Sequence, residues 1–320
     1  MLRREGVICA AKWHILRRLL REEQTVADEV RCIVSRTGKM QIQGMKRSRM
    51  VQLRKLSAAC SFLLLFDSPP VLRADPPAAA VLVFNGYSRA VEARLAHQHQ
   101  GRVGFLAPTA GDRNAAEGEL RRGEVMIERV REPGGKEANA AGGLLHHWRG
   151  TAFVPGATAA DFDGLMRNFN AYPQTFSPQV QDARMASGGS ADRMQVWMRV
   201  RQHHVITVVM DTDYDVQFGR LDVQHGFSIS RSTRVQEIDK PGTAAERAMG
   251  THEEHGFLWR LNTYWSYEQR DGGLYLQVEA VSLTRAVPRG LGWAVGPYVE
   301  SIPRESLAFT LQSARNAMRK

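Results

Sequence analysis

Residues 257–285 read FLWRLNTYWSYEQRDGGLYLQVEAVSLTR, two runs of aromatic, β-branched and aliphatic residues joined by Asp271-Gly272. An Asp-Gly pair is a strong two-residue hairpin turn, because both positions must accept positive φ. That turn sets Arg270 opposite Gly273. It follows that Tyr267 faces Leu276, Trp265 faces Val278, Thr263 faces Ala280 and Leu261 faces Ser282. Side chains alternate across a strand, so one face carries Trp259, Leu261, Thr263, Trp265, Tyr267, Leu274, Leu276, Val278 and Ala280. The other carries Arg260, Asn262, Tyr264, Ser266, Glu268, Gln277 and Glu279. The first face must be buried.

The segment that follows supplies a cover. Pro303 suits the first turn of a helix, Glu305 its positive end, and Arg315, Arg319 and Lys320 its negative end. Leu307, Leu311, Ala314 and Met318 form one apolar stripe, which predicts a C-terminal helix over 303–319 lying on the sheet. Upstream, strands are expected over 179–187 and 193–202, over 205–218, and from Val223 to Ile238, with Gly219 marking a turn. The polar stretch 239–256 reads as a loop. Further forward, LLHHWRGTAFV (144–154) is a strand ended by Pro155-Gly156. Thr158 and Asp161 make an acidic capping box. Phe162, Leu165, Met166 and Phe169 then fall at helical spacing. The order is strand, helix, short helix or turn, a run of antiparallel strands, and a long final helix: an α+β domain.

Three stretches carry a family resemblance: HHWRGTAFVPGATAADFDGLMRNFNAYPQTFSPQV, YWSYEQRDGGLYLQVEAVSLTR and GLGWAVGPYVESIPRESLAFTLQSARNAMR. Residues 144–320 resemble the START-like helix-grip (SRPBCC) superfamily of polyketide cyclases, coenzyme Q-binding proteins and lipid-transfer domains. Among these they look most like exported bacterial members. The resemblance implies a helix-grip fold, a curved antiparallel sheet wrapped around a long C-terminal helix. It also implies an apolar cavity between the two that takes hydrophobic ligands in many members.

Residues 75–143 read as an N-terminal helical extension packed on this domain, with helical patterns over 83–97 and 115–123. Residues 1–74 differ in character. They hold 15 Lys+Arg against 6 Asp+Glu, a net of +9 out of the chain's +10, and all three cysteines, Cys9, Cys32 and Cys60. Residues 45–74 have the layout of a secretory signal peptide. Arg54 and Lys55 provide the basic region, Leu56 to Phe66 the apolar one, and Ala74 a small residue for cleavage before Asp75. Residues 1–44 then read as an over-extended start or an extension, and the expected location is periplasmic or secreted. The remaining chain, net +1, offers no basic stripe to a nucleic acid.

Candidate chemistry is sparse. The glycines of Gly290-Leu-Gly292-Trp-Ala-Val-Gly296 lack the βαβ context of a dinucleotide fingerprint. Asp211, Asp213 and Asp215 share one strand face, without the glycine and glutamate of a calcium loop, and read as a solvent-facing strand end. The pairs His146-His147 and His203-His204 split across opposite faces, and His252-Glu-Glu-His255 has the wrong spacing for a zinc helix. Neither a catalytic set, nor a metal, nor a cofactor is expected. Aromatic residues Trp197, Trp259, Trp265, Tyr267 and Trp293, with Thr263, are candidates to line an apolar cavity. Arg260, Asn262, Tyr264 and Glu279 form a polar cluster on the other hairpin face. Covered by the N-terminal extension they would be a buried network or ligand anchor; facing water they would be ordinary cross-strand pairs, the reading the sequence favours.

The expected partner is a lipid or other hydrophobic small molecule bound by a monomer, with transient membrane contact and no nucleic acid. Two other readings remain open. One is a cyclase or hydrolase using Glu279, Tyr264 or Arg260, and the other an envelope scaffold with a filled core.

Overall fold

A computed structural model describes residues 75–101, 104–107, 113–130, 139–140, 142–203, 207–286 and 292–319, with the backbone alone over 139–140, 187–188 and 292–300. The signal-peptide expectation falls on residues outside these. The elements, in chain order, are α1 (Ala78–Gln98), α2 (Arg113–Arg121), β1 (Met126–Arg129), β2 (Asn139–Ala140) and β3 (Gly143–Pro155). Then come α3 (Ala159–Arg167), a 3-10 turn (Phe169–Ala171), α4 (Tyr172–Thr175), β4 (Val180–Ser190), β5 (Arg193–His203) and β6 (Thr207–Arg220). The last are β7 (His225–Asp239), β8 (Arg247–Ala248), β9 (Arg260–Arg270), β10 (Gly273–Arg285) and α5 (Gly292–Met318).

The β9–β10 hairpin has the expected register throughout, from Gly273 opposite Arg270 to Ser282 opposite Leu261. Asp271 and Gly272 both take positive φ, 55° and 74°, as the turn demands. Around this hairpin the strands pair antiparallel in the order β1-β3-β10-β9-β7-β6-β5-β4, a curved and unclosed sheet. This is the α+β layout that the START-like resemblance implies.

The Leu276–Val278 face packs into the larger core, with Trp265, Tyr267 and Leu274. Helix α3 closes one end of that face. Its capping box is present: Thr158 Oγ1 accepts from the Asp161 backbone N–H, and the Asp161 carboxylate accepts from the Thr158 N–H. Phe162 is fully buried, with its ring 5.1 Å from those of both Trp265 and Tyr267. Helix α5 packs chiefly on β3, with further contacts to β1, β10, α3 and α4. Gly150 makes the close approach feasible, because a Cβ there would lie 2.3 Å from Leu311 Cδ1. The expected stripe Leu307, Leu311, Ala314 and Met318 is buried. The helix begins at Gly292 rather than at Pro303, which lies in its interior. Gly292 and Gly296 are thus helical, after an antiparallel strand.

The opposite, convex face of β3, β10, β9 and β7 lies under α1. Ala80, Phe84, Val91 and Leu95, at helical spacing, pack on Leu145, Tyr264, Val281 and Leu283.

Candidate functional site

The register places one residue from each of several strands in a single transverse row on the concave face: Trp148, Ala280, Thr263, Ser230, Val216 and Met194. The row one step toward the β9–β10 turn contains Val278, Trp265 and Ser228, all buried. In the first row, Trp148, Ala280, Thr263 and Ser230 are only half-buried, although each belongs to a strand with neighbours on both sides. The cause is the cover. Helix α3 reaches the Trp265 row, while α5 concentrates its packing at the β1–β3–β10 edge and reaches β5 through Gln202 Nε2 donating to Ser306 Oγ at 3.1 Å. Thr263 of β9 and Ser230 of β7 thus keep partial exposure. Trp148 Nε1 is buried there with no hydrogen-bond partner among the described residues.

The aromatic candidates divide between the faces. Trp265 and Tyr267 are on the concave side but are packed against Phe162, as part of the core. Thr263 lies in the half-buried row. Trp197 and Trp259 are corrections to the expected aromatic wall. In β5, Val196 is turned into the core and Trp197 to the convex side, its ring 3.9 Å from the Arg184 guanidinium. Alternation in β5 in fact sets Met194, Val196 and Met198 on one face and Arg193, Gln195, Trp197 and Arg199 on the other, so the side of Trp197 was legible in the sequence. Trp259 precedes the first residue of β9, and the alternation does not extend to it. It packs instead with Ala80 and Phe84 on the α1 side. The side chain of Trp293 lies outside the described residues.

The polar cluster is not water-facing, which overturns the reading the sequence favoured. Helix α1 covers it, and Asn262, Tyr264 and Glu279 are buried. Glu279 is the centre. Its Oε1 accepts from Arg149 Nε at 2.9 Å, its Oε2 from His147 Nε2 at 2.8 Å, and Arg94 of α1 reaches the same oxygen. Tyr87 OH donates to His147 Nδ1 at 2.8 Å, which fixes the neutral tautomer with the proton on Nε2. Nearby, Glu92 of α1 receives two hydrogen bonds of 2.8 Å from Arg231 and one of 3.3 Å from Tyr264 OH. Asn262 Nδ2 donates to that hydroxyl at 3.2 Å. Arg260 stays outside the network, half-buried, with Nη1 on the Trp259 carbonyl.

Burial alone would raise the Glu279 pKa. The His147 hydrogen bond and the charges of Arg149 and Arg94 outweigh it and bring the carboxyl down to about 2. Burial holds His147 neutral and brings His99, which bonds Ser266 Oγ at 2.8 Å, down to about 4. Burial likewise pushes Tyr264 up to about 12. Both oxygens of an ionised Glu279 are occupied, so this group clamps a helix to a sheet and is not poised for proton transfer. Sequence reasoning missed Arg94, His147 and Arg149 as partners of Glu279, Tyr87 as the partner of His147, and Glu92 as the partner of Tyr264 and Arg231. The only signal was the reversed polarity of the hairpin face they cover.

Other candidates are accounted for by pairing. Asp211 and Asp213 face outward onto Arg199 and Arg234, at 2.7 and 2.6 Å, and Asp215 accepts from Gln195. His255 Nδ1 bonds Glu237 at 2.8 Å. No group of metal-ligating side chains occurs among the described residues. A solvent-open depression of about 550 Å³ near the β4–β5 turn, lined by Ser190, Arg193, Gln195, Asp215 and Arg231 among others, touches none of the expected site residues.

No protein-family model matches the chain, and no curated protein matches it. Similar solved structures include a STAR-related lipid transfer protein from Xanthomonas axonopodis, 14% identical, covering 61% of this chain and 99% of its own, with a TM-score of 0.37. A START superfamily protein from Mycobacterium smegmatis is 14% identical over 54% of this chain and 96% of its own, TM-score 0.35. The Zhui aromatase/cyclase of a Streptomyces species is 13% identical over 54% and 92%, TM-score 0.36. At such scores the description of the fold rests on the strand order and helix placement given above.

The Glu279 clamp has a pH signature. Its folded pKa of about 2 lies below the ordinary 4.5, so the stability it contributes is present above pH 4.5 and is lost as pH falls toward 2. His99, depressed from 6.5 to about 4, acts in the same sense over that interval. Glu279→Gln removes the buried anion shared by Arg149 and Arg94, leaving Arg149 only the more exposed Glu128, and should cost ~3 kcal/mol in chemical denaturation at pH 7. The variant should also lose part of the acid dependence below pH 4.5. An unchanged midpoint and acid profile would show that the network clamps nothing.

Proposed function

We propose that the protein is an exported START-like binding protein that holds a lipid or another hydrophobic small molecule on the concave face of its sheet, gripped between the sheet and α5. The observation that carries this reading is the half-buried row Trp148, Ala280, Thr263 and Ser230, in the middle of an otherwise buried face. Interior strand positions on a core-facing side are normally sealed by packing. Trp148 and Ala280 touch the core at one end of the row, while Thr263 and Ser230 keep partial exposure among the described residues. A guest molecule of apolar character would complete the burial, at roughly 25 cal/mol for each Å² withdrawn from water.

This favours a binding protein over the other two readings. The groups an enzyme would use, Glu279 and Tyr264, lie under α1 on the other face and do not line this groove. A scaffold with a filled core would have no half-buried interior row. In this reading Trp265 forms the closed end of the groove and Thr263 its floor, with α5 at the β3 side.

The mass of species retained by the full chain in native mass spectrometry tests the proposal. Wild-type protein should carry a hydrophobic adduct. Thr263→Trp, which fills the row, should return empty with an unchanged thermal midpoint. An empty wild type that also takes up no lipid, or full occupancy in the variant, would contradict it.

Export is supported by the basic and apolar pattern of 45–74 and by the confinement of the cysteines to residues before Asp75. Expressed with its own leader in a bacterium, the protein should appear outside the cytoplasm with an intact mass beginning at Asp75. Cytoplasmic retention with 45–74 attached would refute this.

A further inference from the structure

We propose that residues 249–257 form a strap over the end of the concave face remote from Trp265, fastened by Glu237 and loosened above neutral pH as His255 loses its proton. This inference rests on the contacts of Glu237 and is independent of the groove reading above.

The strap has a place because β7 outruns its neighbour. Strand β9 pairs with β7 only from Glu268 opposite His225 to Asn262 opposite Arg231. Beyond that point β7 continues to Asp239, and the chain from β8 onward takes over its edge. Ile238 pairs with Ala248 and Asp239 with Arg247, and the Met249 N–H donates to the Glu237 carbonyl at 2.8 Å. Val235 pairs with Thr212 and Glu237 with Met210, which gives Glu237 the concave parity, well beyond the Ser228–Trp265 pair.

The Glu237 carboxylate is buried, and three successive residues of the strap bond to it. Its Oε1 accepts from the backbone N–H groups of Gly256 at 2.9 Å and Phe257 at 3.1 Å. Its Oε2 accepts from the His255 N–H at 3.0 Å and from the ring Nδ1 at 2.8 Å. Gly256 permits this wrap, with φ at 75° and a position where a Cβ would lie 2.9 Å from Trp259 Nε1. Phe257 is 43% exposed and Met249 only half-buried, so charge-assisted hydrogen bonds hold the strap more than apolar packing does.

Among these donors the His255 ring is the one that titrates near neutrality. The Glu237 bond raises its pKa above 6.5, against burial and the charge of Arg285, and Asp239 acts in the same sense as Glu237. Arg285, on β10, also donates to the His255 carbonyl at 3.5 Å, and the Phe257 ring stacks on the imidazole at 5.2 Å. Around them, Glu254 accepts from the Glu237 N–H at 3.2 Å and feels Asp75, while Asp239 meets Arg247 and Lys240, and Arg247 also holds Glu253. A raised histidine pKa contributes stability that is full below pH 6.5 and is lost as pH rises through the folded value. Burial would raise the Glu237 pKa, but the His255 ring and the backbone donors outweigh it and hold the carboxyl below 4.5, so it stays ionised over that range. The strap is therefore tightest between pH 4.5 and 6.5.

The test is hydrogen–deuterium exchange of the full chain at pH 6 and pH 8.5, read as protection factors of peptides spanning 250–258 against those of β10. Protection of the wild-type strap should fall ~3-fold or more between the two pH values while that of β10 stays constant. His255→Gln, at a side chain 59% exposed, should remove this pH dependence. Glu237→Gln should leave the strap unprotected at both pH values. Should Glu237→Gln fail to fold, His255→Gln alone decides. A wild-type strap equally protected at both pH values, or the same fall in His255→Gln, overturns the inference, as does full protection in Glu237→Gln.

Discussion

The register of the β9–β10 hairpin is the constraint on which the rest depends. Asp271 and Gly272 fix it by accepting positive φ in sequence, and from there every residue of both strands is assigned a face. Leu276 and Val278 go to the side that α3 and α5 cover, Gln277 and Glu279 to the side that α1 covers. A slip of one residue would place Glu279 in the hydrocarbon core and Leu276 among arginines. The two faces therefore demand different partners, and segments from the two ends of the chain provide them.

Those partners use different physics. On the convex side, apolar residues of α1 set the contact, and the Glu279 and Glu92 pairings fix its position along the sheet. Taking these charges out of water is expensive, and the cost is offset only because each carboxylate meets arginine and further donors. Gln277 follows the same rule, bonding the Ala107 backbone through both ends of its amide. On the concave side packing is dense only where α3 and α5 lie close. Between them the floor is apolar or hydroxylated, and half-buried. A hydrogen-bonded, charge-paired face thus backs one whose middle row keeps partial exposure.

Much of the fold was legible in sequence because it is local. The hairpin register, the Thr158–Asp161 box and the apolar stripe of α5 each depend on residues close in the chain, and all are present as read. What escaped is long-range or lies where alternation stops. Trp259 stands one residue before β9 and follows the loop, not the strand. Trp197 is the exception: it shares its parity with Arg193, Gln195 and Arg199, so alternation already turned it away from Met194, Val196 and Met198. The start of α5 was misplaced because Pro303 looks like an opening residue, whereas the helix is already under way. The Arg94–Glu279 pair spans 185 positions, and no local pattern announces that α1 covers the polar face of the hairpin. The half-buried row is a property of what two helices leave uncovered, which no single segment encodes.

The central claim, that the concave row is where a guest sits, is tested most directly by photo-crosslinking the full chain with a long-chain alcohol carrying a diazirine, followed by peptide mapping. The account predicts adducts within Ser228–Ser232 and Leu261–Trp265, competed away by 1-dodecanol. Adducts confined to α1 or to the exposed edge strand β4, or labelling that dodecanol does not reduce, would contradict it.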